Sequence, residues 1–230
     1  MVIKTFKHEN FSFPVYKGSL LENMPKIRKN GHRVFSAIEI MMLKVLAKDF
    51  NLEFAQYLKE NSFLTSSSVI YRQNGDIKFV RVSKSIESLC EKTPLTRDGA
   101  IILGQANTST ENISYDSYPD EEKGVNYAFN RIEVATGLYN FGSYMHAMQN
   151  KLLNSIVMNN SQLLEEYLDQ YITSQNRNLS SIALMFRSLP EQDIERVIRF
   201  NSCNNEKIAI DGTIGLNKNN SLILCSHNYS

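Results

Sequence analysis

Two periodicities divide the chain. From residue 37 onward, Ile38, Met41, Met42, Val45 and Leu46 recur at three- and four-residue spacing. That spacing predicts the apolar stripe of a helix continuing toward Leu58. Ser36 with Glu39 three residues later reads as a capping box at its start. The texture then turns to short β-rich runs. Thr65-Ser66-Ser67-Ser68 leads into Val69-Ile70-Tyr71-Arg72, and Asn74-Gly75 separates that run from Ile77 to Val82. Asn-Gly between two such runs is a strong hairpin signal. Ser83 and Ser85 are read as caps of a short helix through Leu89 and Cys90, ended by Pro94. Ala100-Ile101-Ile102-Leu103 reads as a third, buried strand.

The second half predicts helices first and strands last. Residues 105–122 are polar and turn-rich, with Asp120-Glu121-Glu122 placed where a helix start favours acids. Leu152, Leu153, Ile156, Val157, Leu163, Leu164, Tyr167, Leu168 and Ile172 supply helical faces, broken at Asn159-Asn160-Ser161. Pro190, capped from Ser188, suits a further helix through Ile194, Val197 and Ile198. Two strands close the chain, 207–211 and 221–225, joined by a Gly- and Asn-rich loop. Strands clustered at two distant places must meet in one sheet, which predicts an α+β fold.

Composition narrows the class. Hydrophobic residues make up 42% of 230, enough for a core and too many for global disorder. Net charge is +1, without the basic excess expected of a dedicated nucleic-acid binder. No apolar run is long enough to predict a membrane span. The charge is uneven. Residues 1–35 carry seven basic and two acidic side chains, net +5, leaving −4 for the remainder. With Pro14, Gly18, Pro25 and Gly31, this stretch reads as a mobile basic leader, and residues 36–230 as one domain with a mainly helical insertion around 120–200. Cys90, Cys203 and Cys225 are too few and too widely spaced for a disulfide framework. Cys225 and His227 offer two metal ligands, but nothing in the sequence completes a tetrahedral site, so no metal is expected.

Two charged residues end apolar strands: Arg72 after Val69-Ile70-Tyr71, and Asp211 after Ile208-Ala209-Ile210. Taken singly, each reads as the chain leaving for solvent. If both strands share a sheet, the pair could face one cleft, a guanidinium fork for phosphate or ribose beside a carboxylate for a ribose hydroxyl.

Ser68-Val69-Ile70-Tyr71-Arg72, Phe79-Val80-Arg81, Gly99-Ala100-Ile101-Ile102, Lys207-Ile208-Ala209-Ile210-Asp211 and Leu222-Ile223-Leu224 together resemble the AvrPphF/HopF and EspJ family of type III secretion effectors. The stretch from Gly31 to Ser36 looks closer to the EspJ branch. The resemblance covers roughly residues 65–105 and 205–225. It implies an ADP-ribosyltransferase-like split β-sheet core with a helical insertion. It also implies NAD as substrate and an essential Arg and Asp, here Arg72 and Asp211. Arg81 would help to hold the pyrophosphate. Position 209 is Ala, so the Glu-x-Glu pair of arginine-directed transferases is absent. The implied activity is transfer of ADP-ribose to a host signalling protein, kinases being among the family's targets. The chain would be exported by a type III system into the host cytoplasm, with a secretion chaperone at its N-terminus. The alternative is an inactive module that keeps the fold and binds and inhibits a host signalling protein. A third reading, a Cys90 hydrolase, needs a histidine beside the thiol.

Overall fold

The computed structural model describes residues 2–8, 11–73, 77–104, 127–129, 137–140, 147–171, 181–184, 191–202, 208–218 and 221–227. The strands are β1 (Val2–His8), β2 (Phe11–Lys17), β3 (His32–Val34), β4 (Phe63–Tyr71), β5 (Ile77–Val80), β6 (Ile101–Ile102), β7 (Tyr127–Phe129), β8 (Gly137–Asn140), β9 (Ser181–Leu184), β10 (Ile194–Phe200), β11 (Ile208–Ile214) and β12 (Leu222–His227). The helices are α1 (Leu20–Lys29), α2 (Ala37–Phe50), α3 (Leu52–Glu60), α4 (Lys84–Glu87), α5 (Lys151–Ile156) and α6 (Ser161–Tyr171).

Successive side chains on a strand point to opposite faces, and here each face has its own core. Val15, Phe63, Ile198 and Leu224 join one cluster with Met41, Phe54, Leu58, Leu164 and Tyr167 from α2, α3 and α6. Their chain neighbours Tyr16, Leu64, Val197 and Ile223 join a second cluster with Leu20, Met24 and Ile27 of α1 and Ile86 of α4. The sheet is therefore buried on both sides. Its main path runs β1-β2-β12-β4-β10-β11-β9-β8, with β3 beside β12, β5 between β4 and β7, and β6 beside β10. Pairing is antiparallel except for β4 with β12 and β9 with β11.

β4 is central, and all nine of its residues are buried. Its first residues pair with β12 and its last four with β5, while β10 lies along its other side. Where it changes partner, the register against β10 jumps from Val197↔Ser68 to Arg199↔Leu64. Thr65, Ser66 and Ser67 fill the irregular stretch with their own polar groups. Thr65 Oγ1 donates to the Ile198 carbonyl at 2.9 Å, and Ser67 Oγ accepts from the Ala37 amide at 2.8 Å while donating to the Arg81 carbonyl. The Ser66 amide donates to the Phe35 carbonyl, and the Ser66 carbonyl accepts from the Ser83 amide, both at 2.9 Å. A buried polar backbone away from its ladder must be satisfied in this way.

Several sequence expectations change. Residues 1–35 are read as a mobile leader, but their described residues form β1, β2, α1 and β3. β2 pairs with β12, and an aromatic group of Phe6, Phe13, Phe54 and Tyr57 ties the hairpin to α3. The long helix breaks at Asn51, whose Oδ1 accepts from the Glu53 and Phe54 amides and starts α3. On α2, Met42 and Leu46 are exposed while Lys44 is buried, its Nζ donating to the Leu58 carbonyl at 2.6 Å. The expected helix through Ile194, Val197 and Ile198 is strand β10. Its apolar positions mimic a helical stripe because both faces are covered, and such a strand does not alternate. The mainly helical insertion over 120–200 thus holds β7, β8, β9 and β10 besides α5 and α6. The break before Ser161 is present, with Met158 and Asn159 at φ 55° and 60°. Glu39 reaches back to the Ser36 amide at 2.8 Å, as the capping box requires. The Asn74-Gly75 turn, Asp120-Glu121-Glu122, Ser188 and Pro190 lie outside the described residues.

Two backbones cross closely next to β6. Gly99 sits at φ +85°, and its carbonyl accepts from the Leu216 amide at 2.8 Å. A Cβ on Gly215 would collide with the Asp98 carbonyl. Gly215→Ala should therefore cost on the order of 2 kcal/mol through overpacking against backbone. A urea denaturation midpoint lowered without a change in slope would verify it.

Candidate functional site

β4, which leads into Arg72, and β11, which carries Asp211, do share one sheet, with β10 between them. They do not set those residues side by side. Arg72 follows Tyr71, which pairs with Ile194 at the start of β10; Asp211 pairs with Arg199 near its end. Along β10, Ile194 and Arg199 are roughly 17 Å apart at about 3.3 Å per residue. Arg72 is half-buried just beyond the end of β4. Asp211 is 5% exposed and accepts a hydrogen bond from Arg199 Nη2 at 3.3 Å. Arg81 is half-buried past the end of β5, and its carbonyl is held by Ser67. Tyr71 is buried, with its hydroxyl donating to the Gly212 carbonyl at 3.0 Å, and burial pushes its phenol well above the ordinary range. Tyr71 is thus a core residue that ties β4 to β11.

The buried ionisable group that the sequence did not announce is Glu195 on β10, only 1% exposed. Its Oε1 accepts from the hydroxyls of both Ser68 on β4 and Ser83 at the start of α4. Burial raises its carboxyl above the usual range, while hydrogen bonds from Ser68, Ser83 and Ser85 pull the other way. Ser83 also accepts from the Ile86 amide at 3.1 Å, so it caps α4 as expected and serves the carboxylate as well. Nothing in the local spacing of Glu195 signalled this. The only cue was the buried hydroxyl run in β4, which needs an acceptor.

Two further arginines are occupied by structure. Arg196 pairs with Asp98 in the turn before β6. Arg28 of α1 donates to the Glu87 and Leu89 carbonyls at 2.6 and 2.9 Å, fixing the chain after α4. Cys90 lies in that chain, half-buried and beyond the helix rather than within it. Its thiol is held low first by a backbone hydrogen bond at Lys92, then by the Thr93 hydroxyl. The sulfur's side-chain contact is Thr93 at 3.8 Å, not the histidine a thiol hydrolase requires. Among the described residues no three His, Cys, Asp or Glu side chains converge to hold a metal, and no helix is long and apolar enough to cross a membrane.

No family model and no curated protein matches the chain. One solved structure does match. Its description reads "Accommodation of massive sequence variation in Nanoarchaeota by the C-type lectin fold". The match covers 96% of this chain and 99% of that one, with a TM-score of 0.63 and 13% sequence identity. The fold is C-type lectin-like. That likeness overturns the expected ADP-ribosyltransferase-like split sheet. The short strand motifs behind that expectation recur because any buried strand that ends at a polar turn produces them. In this C-type lectin-like sheet β10 enters between the Arg72 and Asp211 strands and gives Asp211 an internal partner, Arg199.

The Glu195 carboxyl, favoured protonated in the fold, stabilises the protein at acidic pH. That contribution is lost as pH rises from the unfolded value through the raised folded value. Glu195→Gln should keep an acceptor for Ser68 and Ser83 and flatten this fall, which urea titrations between pH 4 and 8 would show. Glu195→Ala leaves buried hydroxyls unpaired and should cost about 3 kcal/mol.

Proposed function

We propose that this chain is a recognition module. A C-type lectin-like scaffold presents side chains that bind a protein partner, without chemistry on that partner. The observation that carries the reading is the match over nearly the whole of both chains to a fold described as accommodating massive sequence variation. A scaffold suits that role when its stability rests on an interior independent of the displayed positions. Here two cores, the β4 hydroxyls and Glu195 make up such an interior.

Two further considerations support the reading. The charged groups considered for NAD chemistry do not form one cluster, since Asp211 is buried with Arg199 well along the sheet from Arg72. The sequence between β6 and β7 is also suited to contact. It carries Asn107, Ser109, Asn112, Ser114, Tyr115, Ser117 and Tyr118. Tyrosine supplies large, stiff contact area, and Ser and Asn supply adaptable hydrogen bonds, the composition that recognition loops favour.

The test combines two measurements on purified protein. On this reading, replacing residues 107–118 by Gly and Ser at equal length should leave unfolding free energy within about 0.5 kcal/mol. It should also abolish the specific cross-linked species that the wild type forms in extract. Incubation with labelled NAD and the same extract should give no transfer. Label transfer that disappears in Arg72→Ala and Asp211→Ala, with the fold intact, would restore ADP-ribosylation and overturn the binding-module reading. Cross-linking that survives the replacement of residues 107–118 would move the contact surface elsewhere and refute the assignment to this segment.

A further inference from the structure

A histidine pair stands where β3 meets β12, apart from the β4–β10–β11 region. Cα pairing places His32 directly opposite His227, two residues beyond the pair Val34↔Cys225. The two imidazoles lie with ring centroids 4.6 Å apart and planes at 80°. His32 is half-buried and His227 is exposed, so the pair opens to solvent on one side.

The inner ring is anchored. His32 Nδ1 lies 2.7 Å from the Tyr16 hydroxyl oxygen. Tyr16 is 1% exposed, and its oxygen also accepts from Asn30 Nδ2 at 2.9 Å. A phenol oxygen has two lone pairs and can accept from both Asn30 and His32. The tautomer with Nδ1–H donated to Tyr16 would present the Nε2 lone pair at the opposite corner of the ring. Metal-binding histidines are ordinarily oriented in this way, by a hydrogen bond at the nitrogen that does not ligate.

We propose that His32 and His227 form a two-imidazole clip for a divalent first-row transition ion, with Cu2+ or Ni2+ held more tightly than Zn2+. The separation of the rings supports the choice. With a metal–nitrogen bond of about 2.0 Å, each ring centroid would lie about 3.2 Å from a shared ion. At 4.6 Å apart the two rings would then subtend roughly 90°. That is the cis angle of tetragonal Cu(II) and Ni(II) sites and is narrower than a tetrahedral zinc site prefers. The order of intrinsic affinities also places Cu2+ above both Ni2+ and Zn2+. Since no third His, Cys, Asp or Glu converges there among the described residues, the remaining positions are left to water or to a donor from outside the chain. The ion would join β3, which enters α2, to the strand β12 that holds β2 against β4.

The test uses tag-free full-length protein in a non-coordinating buffer, titrated calorimetrically with CuCl2 and with NiCl2. The wild type should bind one ion per chain. Because His227 is exposed, His227→Ala should fold normally, and it should weaken binding at least tenfold. His32→Ala should do the same, while His8→Ala, on β1, should leave it unchanged. Tyr16→Phe keeps both ligands but removes the anchoring oxygen. It should weaken binding about tenfold, as loss of a supporting hydrogen bond does. The electron paramagnetic spectrum of the Cu2+ complex should show two coordinated imidazole nitrogens in the wild type and one in His227→Ala. One-to-one binding that His227→Ala leaves intact would overturn the proposal. So would a wild-type affinity no greater than that of a variant carrying both His32→Ala and His227→Ala, or a copper spectrum without coordinated imidazole.

Discussion

The whole architecture depends on one strand being able to change partners while fully buried. β4 must release β12 and take up β5 without leaving amides or carbonyls stranded in a dry interior. An apolar run could not do this, because its backbone groups would lose their ladder and find nothing in exchange. Thr65, Ser66 and Ser67 resolve it with short side chains and redirected backbone bonds, linking the stretch to β10, to the start of α2 and to the chain after β5. Ser68 extends the network to Glu195 and through it to Ser83, so the strand junction and the short helix α4 share one carboxyl. The layers on either side can then remain almost wholly apolar.

This arrangement separates holding the fold from meeting a partner. Most charged side chains with defined roles act inward or along the surface: Arg28 on the chain after α4, Arg196 on Asp98, Arg199 on Asp211, and Arg33 as a fork on Glu39. Burial alone would raise the Glu39 carboxyl, but the Arg33 fork and the bonds from Ser36 hold it below its ordinary value. That interaction secures the entry to α2 next to the β3–β12 junction. A framework so cross-braced tolerates variation in the segments it does not use.

Local features were legible in the sequence where local chemistry decides them. Ser36 with Glu39 marked a helix start, Asn159 marked a helix break, and the last two strands stood out as short apolar runs flanking a Gly- and Asn-rich stretch. Long-range features were not. Pro14 and Gly18 suggested an irregular leader because nothing nearby shows that β2 will find β12 more than two hundred residues later. Ile194, Val197 and Ile198 satisfied a helical template because a strand covered on both faces loses its alternation. Arg72 was visible as the polar end of an apolar strand; Asp211 was read the same way, but β11 runs on through it to Ile214. Their separation was not visible, since the insertion of β10 between them is a property of pairing order rather than of either segment. His32 and His227 looked scattered for the same reason: only cross-strand register brings them together.

The position of β12 has a consequence for how the molecule is made. It lies between β2 and β4, so the hairpin formed by the first seventeen residues has no sheet to join until residues 222–224 are available. Closure requires contacts of very long sequence separation, the property that slows folding. Until then the aromatic face of Phe6 and Phe13 can rest on Phe35 and on Phe54 and Tyr57 of α3, a shelter formed within the first sixty residues. β12 is thereby the strand that joins the two parts of the sheet. The nascent chain passes through a stage with two open strand edges, when a chaperone or a neighbouring copy would compete for the place that β12 takes.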